Sequence, residues 1–188
     1  MKTIRRYLGM GFWVLLAGLR LSAAWQARAL LPFLLAAQSG LAAYQLWVRK
    51  EAKRQAPWWV QAIAWGSALL PLAMKVEHVN GLAYVVSILG LLLALWSMVT
   101  LGRSFGIAPA DRGLVTTGPY GLVRHPLYAG ELLSVLGALG ASLTLRNGVI
   151  VALLLFSLMG RIQAEEQILS GYQDYQARTR WRLLWGVW

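Results

Sequence analysis

The chain has 188 residues, of which 58% are hydrophobic and only 13% charged, with a net charge of +11. A charged share of about half the usual one excludes a disordered chain and argues against an ordinary water-soluble domain, so lipid is the expected solvent. The sequence contains no Cys, which removes disulfides, thiolate nucleophiles and Cys-ligated metals. With only two His, His78 and His125, no metal site is expected.

From the N-terminus, the first apolar segment is 7–25, which contains Arg20 and follows Lys2, Arg5 and Arg6. Three readings fit it: a signal peptide, an interfacial helix with Lys2, Arg5, Arg20 and Arg28 on one side, or a span. Runs 29–48, 58–74, 79–101 and 127–145 follow, each long enough for a hydrocarbon core of roughly 30 Å. The last run, 148–160, is short, and its helical pattern continues through Arg161, Glu165 and Glu166 to about Leu169. Continuous apolar runs without strand alternation mean helices rather than a barrel.

Charge chooses the topology. If 7–25 spans with its N-terminus inside, most of the 18 basic residues fall on the inner face, in the N-terminus, 49–54, the 102–126 loop and the end of the chain. Arg28, Lys75 and Arg146 fall outside, and Arg20 lies near a helix end, where it can snorkel. Trp13, Trp25, Trp47, Trp58, Trp59 and Trp96 fall at or near span ends, as an aromatic belt requires. The expected fold is an all-α polytopic membrane bundle of five core spans plus an N-terminal sixth, with both termini cytoplasmic. Residues 1–101 supply N-terminal spans, and 102–188 supply the functional region within the same structural domain. The basic charge marks topology, so no nucleic-acid partner is expected, nor an obligate protein partner.

The long polar interruption 102–126 and the segment after Gly160 hold the chemistry-bearing residues. Gly118-Pro119 signals a turn, and Pro126 is suited to open the next helix. Arg124 and His125 then stand at a helix N-terminus on the membrane surface, where an anion such as a carboxylate is favoured. The plain alternative is that Arg124 meets lipid head groups and His125 caps the helix. At the other place, Glu165 and Glu166 point about 100° apart. Arg161 stands four residues before Glu165 and suits an ion pair, whereas Ile162 stands before Glu166. Glu166 is therefore expected to lack a basic partner and to suit a cationic ligand. Tyr172 and Tyr175 follow at helical spacing.

Gly118-Pro119-Tyr120, Arg124-His125-Pro126-Leu127-Tyr128-Ala129-Gly130, Asn147, Arg161-Ile162 with Glu165-Glu166 and Leu169, then Tyr172 and Tyr175, resemble in order and spacing the C-terminal half of the isoprenylcysteine carboxyl methyltransferase family. The phospholipid N-methyltransferases are related to it. The resemblance covers about residues 101–178. The tail departs from the family pattern: 178–188 has no proline and carries Arg178, Arg180 and Arg182. The resemblance implies S-adenosylmethionine (AdoMet) bound at the cytoplasmic face and a small lipophilic or lipid acceptor entering from the bilayer. Tyr120, His125, Pro126, Tyr128, Glu165 and Glu166 become the expected cofactor-binding residues, with Arg124 and Glu166 the expected catalytic ones. The charges agree, since a carboxylate suits the ammonium or sulfonium of AdoMet and Arg124 suits its carboxylate. The expected location is a bacterial or archaeal plasma membrane. An NADPH-dependent membrane reductase of the sterol reductase type, to which Glu131 in Tyr-Ala-Gly-Glu would belong, ranks second. A non-enzymatic membrane protein ranks third.

Overall fold

The computed structural model describes residues 2–76, 80–184 and 186, with side chains from Tyr7 onward. His78 and the first residue of the expected 79–101 run lie outside the described residues. Among the described residues seven helices carry the fold: α1 (Lys2–Ala27), α2 (Leu30–Val48), α3 (Trp58–Leu69), α4 (Gly81–Leu101), α5 (Pro126–Ala141), α6 (Leu145–Ile168) and α7 (Tyr172–Arg178). Two two-residue strands, β1 (Arg54–Gln55) and β2 (Ala110–Asp111), pair antiparallel. This is an all-α membrane protein. Three helical segments, Tyr7–Ala27, Gly81–Ser104 and Leu145–Ile168, are long and apolar enough to cross a bilayer.

Local chemistry sets the helix ends. Asn80 caps α4 by accepting from Ala83 N at 2.7 Å, and Thr144 caps α6 by accepting from Asn147 N at 3.2 Å. Pro126 opens α5, where its missing N–H costs nothing. The expected 127–145 span is corrected here. Its helix stops at Ala141, and Leu145 already belongs to α6, because Thr144 breaks the apolar run with a cap. The apolar 58–74 run is also divided: α3 tightens into a 3-10 turn at Leu70–Ala73, around Pro71. The 148–160 run does extend through Glu165 and Glu166, to Ile168.

Packing positions the functional region. Helices α4 and α5 meet through small residues: Ala83, Ser87, Gly90 and Ala94 face Gly130, Ser134 and Gly137. A Cβ on Gly130 would lie 2.6 Å from Gly90 O, and one on Gly90 would lie 2.7 Å from Gly130 O. Backbones that approach this closely gain dispersion contact unobtainable from lipid. Helix α1 runs back along α2, since Gly9 lies near Leu46 while Arg20 reaches Leu35 and Ser39. Arg20 therefore turns inward rather than snorkelling to an interface. Its guanidinium donates to Leu35 O at 3.2 Å and Ser39 Oγ at 2.6 Å.

Three connections meet at one end of the bundle. Lys50 N donates to Arg103 O and Ala56 N to Pro109 O, flanking the β1–β2 pair. Asp111, 1% exposed, accepts from Ser170 Oγ at 2.7 Å, which joins the end of α6 to the same cluster. The α2–α3 connection, the 102–126 loop and the α6–α7 corner thus share one face. At the opposite end, Asn147 clasps the chain before α4. Its amide donates to Lys75 O at 2.7 Å and Ser142 O at 2.9 Å, and its carbonyl accepts from Lys75 N.

Candidate active site

The site lies where the N-terminus of α5 meets the end of α6 and the start of α7. Gly171, at φ +76°, takes the left-handed turn that reverses the chain into α7. Tyr172 and Tyr175 consequently pack inward and are buried. Tyr175 donates its hydroxyl to Tyr120 O at 2.6 Å, tying α7 to the Gly118–Gly121 turn. The tail then runs beside the Arg-His-Pro element: Arg124 N donates to Trp181 O and His125 N to Arg182 O, both at 2.8 Å.

His125 is buried between the two glutamates. Its Nδ1 lies 3.5 Å from Glu165 Oε2 and its Nε2 lies 3.4 Å from Glu166 Oε1. The ring stacks on Tyr128 with an interplanar angle of 10°. Burial alone would lower the His125 pKa. Hydrogen bonds to Glu165 and Glu166 outweigh that penalty and raise it above its ordinary value.

The two glutamates have different surroundings from those expected. Glu166 has basic partners: Arg182 grips it with Nε–Oε1 and Nη2–Oε2 contacts of 2.9 Å each, and Arg124 Nη1 lies 3.3 Å from Oε1. Tyr172 donates to the same Oε1 at 2.9 Å. Arg161, in turn, does not take Glu165. Its Nη1 approaches Glu131 at 4.0 Å, its Nη2 donates to Ile107 O at 3.0 Å, and its guanidinium covers the Tyr128 ring at 4.5 Å. Arg161 is drawn across to α5 because burial favours its pairing with facing groups there over a weak bond along its own helix. Glu165 is held by the Tyr128 hydroxyl and His125 instead.

A cleft of roughly 680 Å³, partly open to solvent, lies over this network. Tyr120, Arg124, His125, Tyr128 and Glu165 line it, together with Tyr172 and Tyr175. Pro126 is buried as the first residue of α5, and Glu166 is engaged with the tail arginine. The structure therefore brings the expected residues together but places Glu165 on the cleft side.

Arg112 also lines the cleft, although sequence pattern marks it only as a topology charge. Its guanidinium lies directly over Gly106, where a Cβ would come within 2.9 Å of Cζ. Burial, then the nearby Arg49 charge, lower its pKa to about 10, partly opposed by Glu165, so it stays cationic at neutral pH. The buried Nε–H groups of Arg112 and Arg124 have no hydrogen-bond partner among the described residues. Such orphaned donors cost about 1–3 kcal/mol each unless a bound group accepts from them. The only sequence signal for Arg112 is its place in the loop, two residues after Ala110 and six after Gly106.

The cleft therefore offers a carboxylate, Glu165, and two arginines with unused donors. This donor set fits AdoMet, whose amino-acid portion carries an ammonium and a carboxylate and whose sulfonium is cationic.

Two curated proteins are similar to part of the chain. One segment is 40% identical over 74 residues to the nickel-cobalt-cadmium resistance protein NccN of Alcaligenes xylosoxydans xylosoxydans, covering 35% of this chain and 33% of that protein. Another match, 37% identical over 93 residues, is to the cobalt-zinc-cadmium resistance protein CzcN of Cupriavidus metallidurans, covering 44% of this chain and 43% of that protein. The chain thus spans less than half the length of these curated relatives. Residues 59–171, more than half the chain and including both the loop and the glutamate pair, match the isoprenylcysteine carboxyl methyltransferase (ICMT) family, and the chain belongs to that family.

Proposed function

We propose that the protein transfers a methyl group from AdoMet to a small lipophilic or lipid acceptor at the membrane surface. The observation that carries this reading is the convergence on one cleft of Glu165 with the unsatisfied donors of Arg112 and Arg124. When bound, AdoMet supplies the electrophilic methyl group on its sulfonium. The rest of the chemistry is binding and orientation, for which effective molarities are worth roughly 7–11 kcal/mol. Glu165 faces the cationic part of the cofactor, with Tyr128 and His125 fixing its carboxylate. Arg112 and Arg124 donate to the cofactor's carboxylate. Glu166 is a positioning residue that holds Arg124 and Tyr172 in the cleft wall and Arg182 behind it.

The same reading gives six spans, α1 to α6 with α3 continued by its 3-10 turn, in a bacterial or archaeal plasma membrane. The site faces the cytoplasm. Support comes from the basic residues Arg49, Lys50, Lys53, Arg54, Arg103 and Arg112 on the connections that meet at the cleft end. The relatives' names concern metal resistance. For this chain the reading is methyl transfer rather than direct ion capture, because the carboxylates of the site are engaged by arginines, tyrosines and His125.

Isothermal titration of the detergent-solubilised protein tests the reading. AdoMet binds, NADPH does not, and Arg112→Gln weakens AdoMet by about tenfold or more, the loss of one charge-assisted hydrogen bond. Binding of NADPH with no heat from AdoMet would replace this reading by the reductase.

A further inference from the structure

A second cavity, also partly open, is lined by residues of the first six helices and shares Gly106 and Leu127 with the cleft. Its middle is apolar, walled by Ala42, Leu91, Met98, Val135 and Leu154. Glu131 and Arg161 stand on its α5–α6 side and are paired with each other. On its α1–α2 side stand Arg20, Gln38 and Trp13.

That α1–α2 side is polar without an evident structural need. Among the described residues, Arg20 is satisfied by neutral oxygens, Leu35 O and Ser39 Oγ, while Glu131 across the cavity pairs with Arg161. An intramembrane cation without a paired carboxylate is costly, and such residues are retained where a ligand or partner uses them. Trp13 is 9% exposed, and its buried Nε1–H has no hydrogen-bond partner among the described residues. Trp13 and Arg20 are seven residues apart on α1, which puts them on one face about 10 Å apart along the axis. Leu35, which receives Arg20, lies about 20 Å up α2 from Val48, whose carbonyl accepts from Arg103 on the cleft side. Arg20 therefore belongs to the part of the cavity remote from the cleft, and Trp13 lies about 10 Å nearer to it. A plain hydrocarbon chain filling the cavity would leave Arg20 facing apolar atoms.

We propose that this cavity binds an amphiphile carrying an anionic oxygen group at its far end, held by Arg20, with its chain running past Trp13 and its other end delivered to the cleft past Gly106 and Leu127. Identifying that delivered end as the methyl acceptor rests on the methyl-transfer reading, whereas capture of the anionic end does not. The acceptor class is thus a two-ended lipophile rather than a simple chain lipid.

The test uses the full chain in detergent without AdoMet. Two probes share a chain and one hydroxyl end and differ at the other: ω-hydroxydodecanoic acid and dodecanol. Apparent Kd is read from the rise of the thermal midpoint with probe concentration. The hydroxy acid is expected to bind about tenfold or more tightly than the alcohol. Arg20→Leu abolishes the difference and Arg20→Lys retains most of it. Equal affinities in the wild type, no binding of either probe, or a preference that survives Arg20→Leu overturns the proposal. AdoMet titration of the wild-type protein is run alongside. A preserved probe preference with no AdoMet binding would remove the methyl-transfer reading and leave the cavity assignment standing.

Discussion

Charge removal at the two neighbouring glutamates should have separable effects. Glu165→Gln takes the negative charge from the cleft wall while keeping size and shape. If Glu165 faces the cationic part of AdoMet, the loss is that of one charge-assisted interaction, about 1.5–3 kcal/mol, or tenfold or more in affinity. The neutral amide can still accept from Tyr128 through its carbonyl, so the fold should lose little. Glu166→Gln breaks a two-point grip on Arg182 and the contacts with Arg124 and Tyr172. Breaking a fully buried pair costs about 3–5 kcal/mol. Arg182 is 33% exposed, so solvent screening reduces this to roughly 2 kcal/mol. Two assays separate the cases: AdoMet titration for affinity, and limited trypsin digestion at Arg180 and Arg182 for tail release. Glu165→Gln should lose affinity with an intact tail, and Glu166→Gln should release the tail, with any affinity loss secondary. Wild-type AdoMet affinity in Glu165→Gln, together with a tail no more sensitive in Glu166→Gln, would refute the division of labour.

Two further perturbations probe the scaffold. Because the folded His125 pKa lies above the unfolded value of about 6.5, its contribution to stability is fully present below that value and is lost as pH rises through the folded pKa. Thermal midpoints should therefore fall as pH rises above about 6.5, and His125→Gln should flatten that part of the profile; an unchanged slope would show that the imidazole carries no linked proton. Gly130→Val places side-chain atoms against the α4 backbone, where even a Cβ would lie 2.6 Å from Gly90 O. Overpacking of this kind costs about 1–3 kcal/mol or more, so the variant should show a lowered midpoint in detergent and weaker AdoMet binding through displacement of the α5 N-terminus. A wild-type midpoint would mean that the α4–α5 contact is looser than described.

Much of the architecture is written in the sequence because a bilayer leaves few choices. An apolar run without water must close its own hydrogen bonds, so composition and length alone indicate helices. The Arg-His-Pro-Leu-Tyr motif and the glutamate pair were likewise legible as a unit, through their order along the chain. Helix boundaries were less so: Thr144 is a polar interruption too brief to stand out from hydropathy, yet its hydroxyl ends one helix and starts the next.

What tertiary structure decided is which charges meet. Along the sequence Arg161 belongs to Glu165, but in the bundle it faces Glu131 and Tyr128 across to α5. Glu166 has no basic neighbour one turn before it, yet Arg124 and Arg182 reach it from 42 positions before and 16 after. Arg20 reads as a snorkelling charge until α2 offers it Leu35 O and Ser39 Oγ. The physical reason is common to all three. Local spacing offers a side chain only its own helix, worth a few tenths of a kcal/mol in water. Inside a low-dielectric bundle every polar group must instead find its strongest reachable partner, and that partner is set by packing across helices.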